Sequence, residues 1–192
     1  ATLQGKGLAI RDQFVGVLLA NLDPADLDFL TRVSVLDPLH PQLCGAVLAS
    51  DEAPQRLARL ARDTPIFVAS DHSDWLRMHS LAREALRQRF DELPAQEQAD
   101  LHARAAAWLA SNGLIDAAAS HMLQSGQQQQ AYDLAERSLY EALVQRGRHG
   151  TVLEWVSRLP ADELDRRPRL LLAAAWSLGT SERHEEAQQL VA

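Results

Sequence analysis

The sequence is poor in the residues that mark secreted or membrane proteins. Its 192 residues include one cysteine, Cys44, and no apolar run of the roughly 18 residues needed to cross a bilayer. One cysteine cannot form an intramolecular disulfide, and the neighbours Leu43 and Val47 favour a buried small hydrophobic side chain over a nucleophile. We therefore expect a cytoplasmic protein with no membrane partner.

Positive charge is also scarce. The 19 lysines and arginines are outnumbered by 26 acidic residues, which gives a formal net charge of −7. A chain that wraps nucleic acid carries a basic surface, so this balance argues against bulk DNA binding but leaves room for a small basic patch. The 46% of hydrophobic residues is enough for one or two globular domains.

Motifs for catalysis and nucleotide binding are missing as well. Gly5, Lys6 and Gly7 lack the spacing of a phosphate-binding loop, and no G-x-G-x-x-G sequence follows a strand. No Ser, Cys or Asp lies in a nucleophile-elbow sequence, and the histidines do not form a zinc motif. We expect no enzymatic activity, no metal and no cofactor within this segment.

A short hairpin followed by a helix organises the first half of the chain. Residues 65–69 are apolar and rich in β-forming side chains, residues 70–74 are turn formers, and residues 75–78 indicate a return strand. A helix is predicted next, with Ser80 as its N-cap. The hairpin therefore delivers His79 to a strand-to-helix junction, where side chains meet a neighbouring surface.

Four helical patterns precede this hairpin, and together the elements have the order of a winged helix. In that fold the fourth helix, from Pro54 to Arg62, would be the DNA-reading element, and Arg56, Arg59 and Arg62 recur on it at helical spacing. The alternative is a solvated face, because acidic residues flank the arginines. The earlier helices are predicted over residues 11–22, from Asp23-Pro24 to Val33, and around residues 43–48.

The second half of the chain is helical throughout. Gly113, Gly147 and Gly179 follow helical stretches and lie 34 and 32 residues apart. Paired helices with a period near 34 are typical of tetratricopeptide-like solenoids, in which each pair buries its apolar face against the next pair. We predict a repeat of this kind.

The predicted fold class is therefore mainly α. A winged-helix-like domain with a small β-hairpin over residues 1–92 precedes a tetratricopeptide-like helical repeat solenoid over residues 93–192. The first residue is not methionine, and residues 185–192 indicate a helix with no stop signal. We expect a segment of a longer protein.

Six sequence blocks, in order, carry a close resemblance to one family: residues 29–37, 43–47, 75–81, 101–109, 154–160 and 168–173. The family that they resemble is the large ATP-binding LuxR-type transcriptional regulators, which belong to the signal-transduction ATPases with numerous domains. The resemblance runs from about residue 12 to the end of the chain.

The resemblance implies an order of nucleotide-binding domain, winged-helix domain, tetratricopeptide-like sensor and C-terminal helix-turn-helix. This chain would hold the second domain and the start of the third. ATP or ADP would then bind to the full-length protein, and DNA would be bound by a domain absent here. The resemblance also implies that His79 contacts the phosphates of ADP held by the nucleotide-binding domain, since an imidazole N–H can donate to a phosphate oxygen.

The function that follows is regulatory. The segment would relay the binding of a small-molecule inducer or a regulatory protein at the helical repeats to the nucleotide-binding domain of the same polypeptide. Two alternatives remain at this point: a stand-alone winged-helix DNA-binding protein, and a helical-repeat scaffold for protein interactions. His79 itself has a structural alternative, because a lone histidine is often a packing residue.

Overall fold

The computed structural model of the chain describes residues 19, 21–69, 74–147, 149–157 and 159–191. Within them the fold is mainly α-helical with one small antiparallel sheet, as the sequence predicts. The helix predicted over residues 11–22 lies almost wholly outside the described residues. By their contacts, the residues form two compact units, Ala1–Trp108 and Leu109–Ala192.

The first unit has the element order of a winged helix, which confirms that prediction. From residue 21 onward in the first unit, three helices are followed by a hairpin and a fourth helix. The helices are α1 (Pro24–Val33), α2 (Pro41–Leu48), α3 (Ala53–Asp63) and α4 (Ser80–Asp91), and the strands are β1 (Phe67–Ala69) and β2 (Leu76–Met78).

The starts of α1 and α2 follow from short-range sequence signals. Each has proline in its first turn, where the missing N–H would have had no helical partner. The Asp23 carboxylate accepts a hydrogen bond from the N–H of Ala25 at 2.8 Å, and Nδ1 of His40 accepts one from the N–H of Gln42 at 3.3 Å. These caps satisfy donors that a helix start leaves open.

The hairpin is short but anchored at its base. β1 and β2 are antiparallel, with Phe67 opposite Met78 and Ala69 opposite Leu76. The backbones of Leu39 and Leu76 exchange two N–H to carbonyl bonds of 2.8 Å, so the connector before α2 adds a one-residue bridge. This bridge satisfies polar backbone groups that the edge of a two-stranded sheet would leave unpaired.

A core of large apolar side chains holds the first unit together. α1 packs against α2 and α4, and α2 packs against α3. Burying each leucine or phenylalanine contributes about 1.5–3 kcal/mol, so this layer supplies most of the stability. The fully buried members include Leu30, Leu36, Leu39, Leu43, Leu57, Leu60, Ile66, Leu86 and Phe90.

A long fifth helix, α5 (Ala95–Ser111), begins in the first unit. The boundary between the two units lies after Trp108, within this helix, whereas the sequence prediction places it after residue 92. The first part of α5 is joined to the winged helix by Arg32, which donates to Glu97 at 2.8 Å, and by Arg104, which donates to the carbonyl of Val47 at 2.5 Å. Local sequence composition does not predict these contacts, because they join residues that are far apart in the chain.

The second unit consists of paired helices. In it α7 packs against α6, α8 and α10, and α10 packs against α8, α9 and α11. The buried contacts use small side chains such as Ala119, Ala135 and Ala173, which let helices approach closely. The helices are α6 (Ile115–Gln124), α7 (Gln128–Arg146), α8 (His149–Val156), α9 (Ala161–Asp165), α10 (Pro168–Thr180) and α11 (His184–Val191).

The helices of the second half repeat with the predicted period near 34 residues, but one predicted helix end is wrong. Gly113 and Gly147 follow α5 and α7 with φ of +74° and +61°, the left-handed conformation that glycine adopts at low cost. Gly179 does not end a helix, because α10 continues through it to Thr180. The corresponding left-handed residue is Glu182, with φ of +59°, so the helix-ending positions 113, 147 and 182 are 34 and 35 residues apart.

Candidate functional site

His79 lies at the junction between β2 and α4, as the sequence predicts. Its backbone N–H donates to the carbonyl of Ile66 at 2.7 Å, which fixes the main chain at this point. Met78, immediately before it, is buried, whereas the side chain of His79 is exposed. The prediction that Ser80 caps the helix is wrong by one residue, because His79 holds the N-cap position and Ser80 is the first helical residue.

The start of α4 lacks a side-chain cap. No side-chain hydrogen bond satisfies its first N–H groups within the described part of the chain. Free N–H groups and the helix dipole create a positive potential at such an end. An exposed imidazole beside it can add an N–H donor, so the arrangement suits an anion such as a phosphate that another molecule or domain presents.

Three rings pack at the base of the hairpin. The ring of His40 lies 4.9 Å from that of Trp75 and 5.6 Å from that of Trp108, and the two indoles are 6.4 Å apart. We call this set the ring cluster. It joins the connector before α2, the residue before β2 and helix α5, so it stabilises the segment that leads to His79.

Behind the hairpin, α4 is tied to the rest of the first unit by polar contacts. Arg83 forms an ion pair with Asp37 at 3.1 Å and donates to the carbonyl of Ser34 at 3.3 Å. On the buried side, the ring of His102 meets Phe90 edge-on at 5.7 Å. Burial, with a smaller contribution from the charge of Arg87, lowers the pKa of His102 to about 4.

The arginines of α3, the sequence-based candidates for DNA contact, are used largely within the protein. Arg56 donates to the carbonyl of Ala25 at 2.9 Å, and Arg59 binds the carboxylate of Asp26 at 2.5 Å. The hydrogen bond that Arg59 donates to Asp26 raises the pKa of Arg59. Arg62 is exposed at the last turn. The structure therefore leaves one of the three guanidiniums free of these contacts with α1.

Two clefts lie beside these arginines. One of about 290 Å³ is bounded by α1 and the start of α3, and one of about 390 Å³ lies along α3 itself. Both include Glu52 and Arg56, and the first also includes Asp28 and Arg32. Acidic and basic groups alternate around them, so neither cleft selects a ligand of one charge.

Cys44 behaves as the sequence predicts. Its side chain is fully buried, and desolvation raises the pKa of the thiol to about 12. A thiol that does not ionise near neutral pH is a poor nucleophile. Its position on α2 makes it part of the hydrophobic core.

The second unit contains a buried ionic cluster that the sequence reasoning missed. Arg167 donates to Asp133 at 2.6 Å, to Gln129 at 3.1 Å and to Glu163 at 3.4 Å. Its guanidinium also lies 5.5 Å from the ring centre of Tyr132. We call this set the Arg167 cluster. It joins α7, α9 and the start of α10.

The acid of this cluster is held in its charged form. Gln129 donates to the Glu163 carboxylate at 2.8 Å. That hydrogen bond, supported by those from Arg167, lowers the pKa of Glu163. From sequence, Gln129 reads as part of a polar run and Glu163 as a helix-start acid. The one sequence signal for this cluster is an arginine directly before the helix start at Pro168. That signal does not identify the residues that the arginine contacts.

The described residues provide neither a cluster of metal ligands nor a membrane-spanning helix. They contain no group of three or more histidine, cysteine or acidic side chains placed to hold a metal ion. Their helices include none that is long and apolar enough to span a membrane. The functional interpretation therefore rests on His79, the ring cluster and the Arg167 cluster.

Known proteins resemble this chain over most of its length. Residues 15–99 match the family described as MalT winged helix domain. The serine/threonine-protein kinase PknK of Mycobacterium tuberculosis (strain ATCC 25618 / H37Rv) is 30% identical over 177 residues, which are 91% of this chain and 16% of PknK. The HTH-type transcriptional regulator MalT of Klebsiella pneumoniae (strain 342) is 28% identical over 185 residues, 95% of this chain and 20% of MalT. The chain thus spans a fifth or less of these relatives.

Proposed function

We propose, from the match of residues 15–99 to the MalT winged helix domain family, that the chain is the non-catalytic relay of an ATP-dependent transcriptional regulator. In this proposal the helical repeats bind a small-molecule inducer or a regulatory protein. The winged helix passes that event to a nucleotide-binding domain of the same polypeptide, outside the given segment. DNA is bound by a further domain.

The observation that carries the proposal is the setting of His79. Its main chain is fixed by Ile66 on one side and by the start of α4 on the other, while its side chain is exposed. A packing residue would be expected to bury its ring, as His102 does. An exposed imidazole on a fixed backbone is instead suited to contact a group on another domain, and the phosphates of ADP are such a group.

Exposed apolar side chains support a binding role for the repeats. Leu172 and Trp176 lie four residues apart on α10 and are 53% and 54% exposed. Residues at this spacing share one face of a helix. Large apolar side chains that stay in water on one face favour a contact with a partner or ligand.

The proposal is tested with the full-length protein that contains this segment. His79→Ala removes a hydrogen bond to a charged group, which is worth about 1.5–3 kcal/mol. If that contact holds an ADP-bound closed state, the open population should rise about ten- to a hundredfold. We expect transcription that needs little or no inducer, together with weaker ADP binding by calorimetry.

His184→Ala is the matched control, because His184 is an exposed histidine on α11. It should leave ADP affinity and inducer dependence unchanged. If His79→Ala retains both properties and only lowers the melting temperature, His79 is a packing residue and the relay proposal fails at this site.

A direct DNA-reading role for α3 makes a different prediction. Arg62→Ala in the isolated chain would then weaken DNA binding, and the affinity would fall steeply with salt. The internal contacts of Arg56 and Arg59 make this the less favoured function. A salt-dependent shift of duplex DNA by the pure 192-residue chain would reverse that preference.

A further inference from the structure

The outer face of the hairpin carries a second cation beside His79. Arg77 and His79 are exposed, and Met78 between them is buried. Because side chains alternate along an extended chain, Arg77 and His79 lie on the same outer face. Two residues along a strand are about 6.6 Å apart. Across the hairpin, Val68 is opposite Arg77 and is 55% exposed, so this face is open to solvent.

Arg77 differs from most arginines of the first unit. Six of them bind a carboxylate or a backbone carbonyl within the unit or lie over an aromatic ring: Arg32, Arg56, Arg59, Arg83, Arg87 and Arg104. Among the described residues, which do not include 70–73, no ion pair or hydrogen bond occupies the side chain of Arg77 or His79. Within that part of the chain, both side chains keep their donors available for a ligand.

We propose that Arg77 binds the same anionic ligand as His79, so that the two side chains together hold the diphosphate group of a nucleoside diphosphate. The inference rests on the proposed function, in which another domain presents that nucleotide. It adds Arg77 as a second binding residue beside His79. It also explains why the site would select a ligand with two phosphate groups.

The two side chains offer complementary donors. A guanidinium is charged at all physiological pH values and binds phosphate oxygens through two parallel N–H groups. An imidazole offers a single N–H in one direction. Spaced two residues apart on one face, they give each of two neighbouring phosphate groups a donor of its own. A nucleoside monophosphate would engage only one of them.

The test measures ADP and AMP affinity of the full-length protein by calorimetry. The variants are Arg77→Ala, Arg77→Lys and His79→Ala. Arg89→Ala is the matched control, because Arg89 is an exposed arginine on α4 with no described partner and its loss changes the net charge equally. Thermal unfolding of each variant checks that the fold is kept.

We expect Arg77→Ala to weaken ADP binding about ten- to a hundredfold, the loss typical of a hydrogen bond to a charged group. Arg77→Lys should recover part of the affinity, since it restores the charge without the two parallel donors. AMP affinity should fall less than ADP affinity. Arg89→Ala should match the wild type.

Three results would overturn the inference. One is ADP affinity in Arg77→Ala equal to that of Arg89→Ala while His79→Ala binds weakly, which rejects Arg77 but leaves the proposed function intact. Another is an equal loss for AMP and ADP, which rejects the diphosphate assignment. The third is unchanged affinity in both Arg77→Ala and His79→Ala, which rejects the phosphate contact itself and the inference with it.

Discussion

The two units are stabilised in different ways. Of the twelve largest fully buried side chains among the residues whose burial is described, ten belong to the first unit, and Leu139 and Leu170 belong to the second. The second unit instead packs helices through alanines and places a buried ion pair, Arg167 with Glu163, between them. A winged helix closes around one bulky core, whereas a repeat needs flat, closely spaced helix faces. The comparison predicts different responses to mutation and to pH.

The largest effect should come from opening the core of the first unit. Phe90 is almost completely buried, so Phe90→Ala removes its burial energy and leaves a cavity, at a cost of about 3–5 kcal/mol. We expect the urea midpoint of the first unit to fall sharply, as followed by hydrogen exchange in residues 24–91. Leu172→Ala, at an exposed position, is the control and should change little. A small effect of Phe90→Ala would contradict the bulky-core description.

The next effect should come from the Arg167 cluster. Arg167→Met keeps most of the side-chain volume but removes the buried cation from Glu163, which is left with the exposed Arg166 at 3.3 Å as its charged partner. Removing one partner of a buried ion pair is unfavourable, so we expect hydrogen exchange in residues 115–180 to accelerate. The double variant Arg167→Met with Glu163→Gln should recover part of the loss, because the buried charge that lost its main partner is gone.

An exposed ion pair is the matched control for that experiment. Arg183 pairs with Glu186 at 2.5 Å on the surface of the second unit, where solvent screens the interaction. Arg183→Met should therefore have a much smaller effect than Arg167→Met. Equal effects would mean that burial adds nothing to the Arg167 cluster.

The third prediction concerns the pH dependence of stability, which should differ between the two units. The pKa of His102 is about 4 in the folded chain and about 6.5 when unfolded, so the unfolded state binds an extra proton between these values. Its contribution to the stability of the first unit is present above pH 6.5 and is lost as the pH falls toward 4, by at most about 3 kcal/mol. His102→Gln should remove this slope in urea titrations between pH 4 and 7.

The second unit should respond only at lower pH. Because the pKa of Glu163 is lowered on folding, chiefly by the Gln129 hydrogen bond, its contribution is present above the usual carboxyl pKa of about 4.3 and is lost below it. Relative to the intrinsic exchange rates, amide protection at pH 5 should therefore already be lower in the first unit and unchanged in the second. Simultaneous loss of protection in both units at that pH would contradict this assignment.

Local signals were sufficient for much of the fold. Proline at Pro24 and Pro41 and glycine at Gly113 and Gly147 each act over a few residues, and the elements follow them. The turn predicted over residues 70–74 lies almost wholly outside the described residues. The strand-to-helix position of His79 was predicted for the same reason. The prediction that Gly179 ends a helix is wrong, because local sequence does not distinguish a glycine inside a helix from a glycine that follows one.

Long-range pairings were beyond sequence reasoning. The Arg167 cluster joins residues 34 and 38 positions apart, and the ring cluster joins His40, Trp75 and Trp108. Side chains such as Gln129 and His40 have several roles compatible with their local sequence. Their partners are decided by how the helices pack, which no local pattern encodes.

The ring cluster also has a kinetic consequence. Its three rings close chain segments of 35 residues, from His40 to Trp75, and of 68 residues, from His40 to Trp108. Doubling the length of a loop adds only about 0.6 kcal/mol to the entropic cost of closing it, so the longer closure lowers the equilibrium stability very little. Contacts between such distant residues nevertheless form slowly, because the intervening chain must first be ordered. We therefore expect the ring cluster to form late in folding, so that the surface that carries His79 is completed only when the rest of the first unit is ordered.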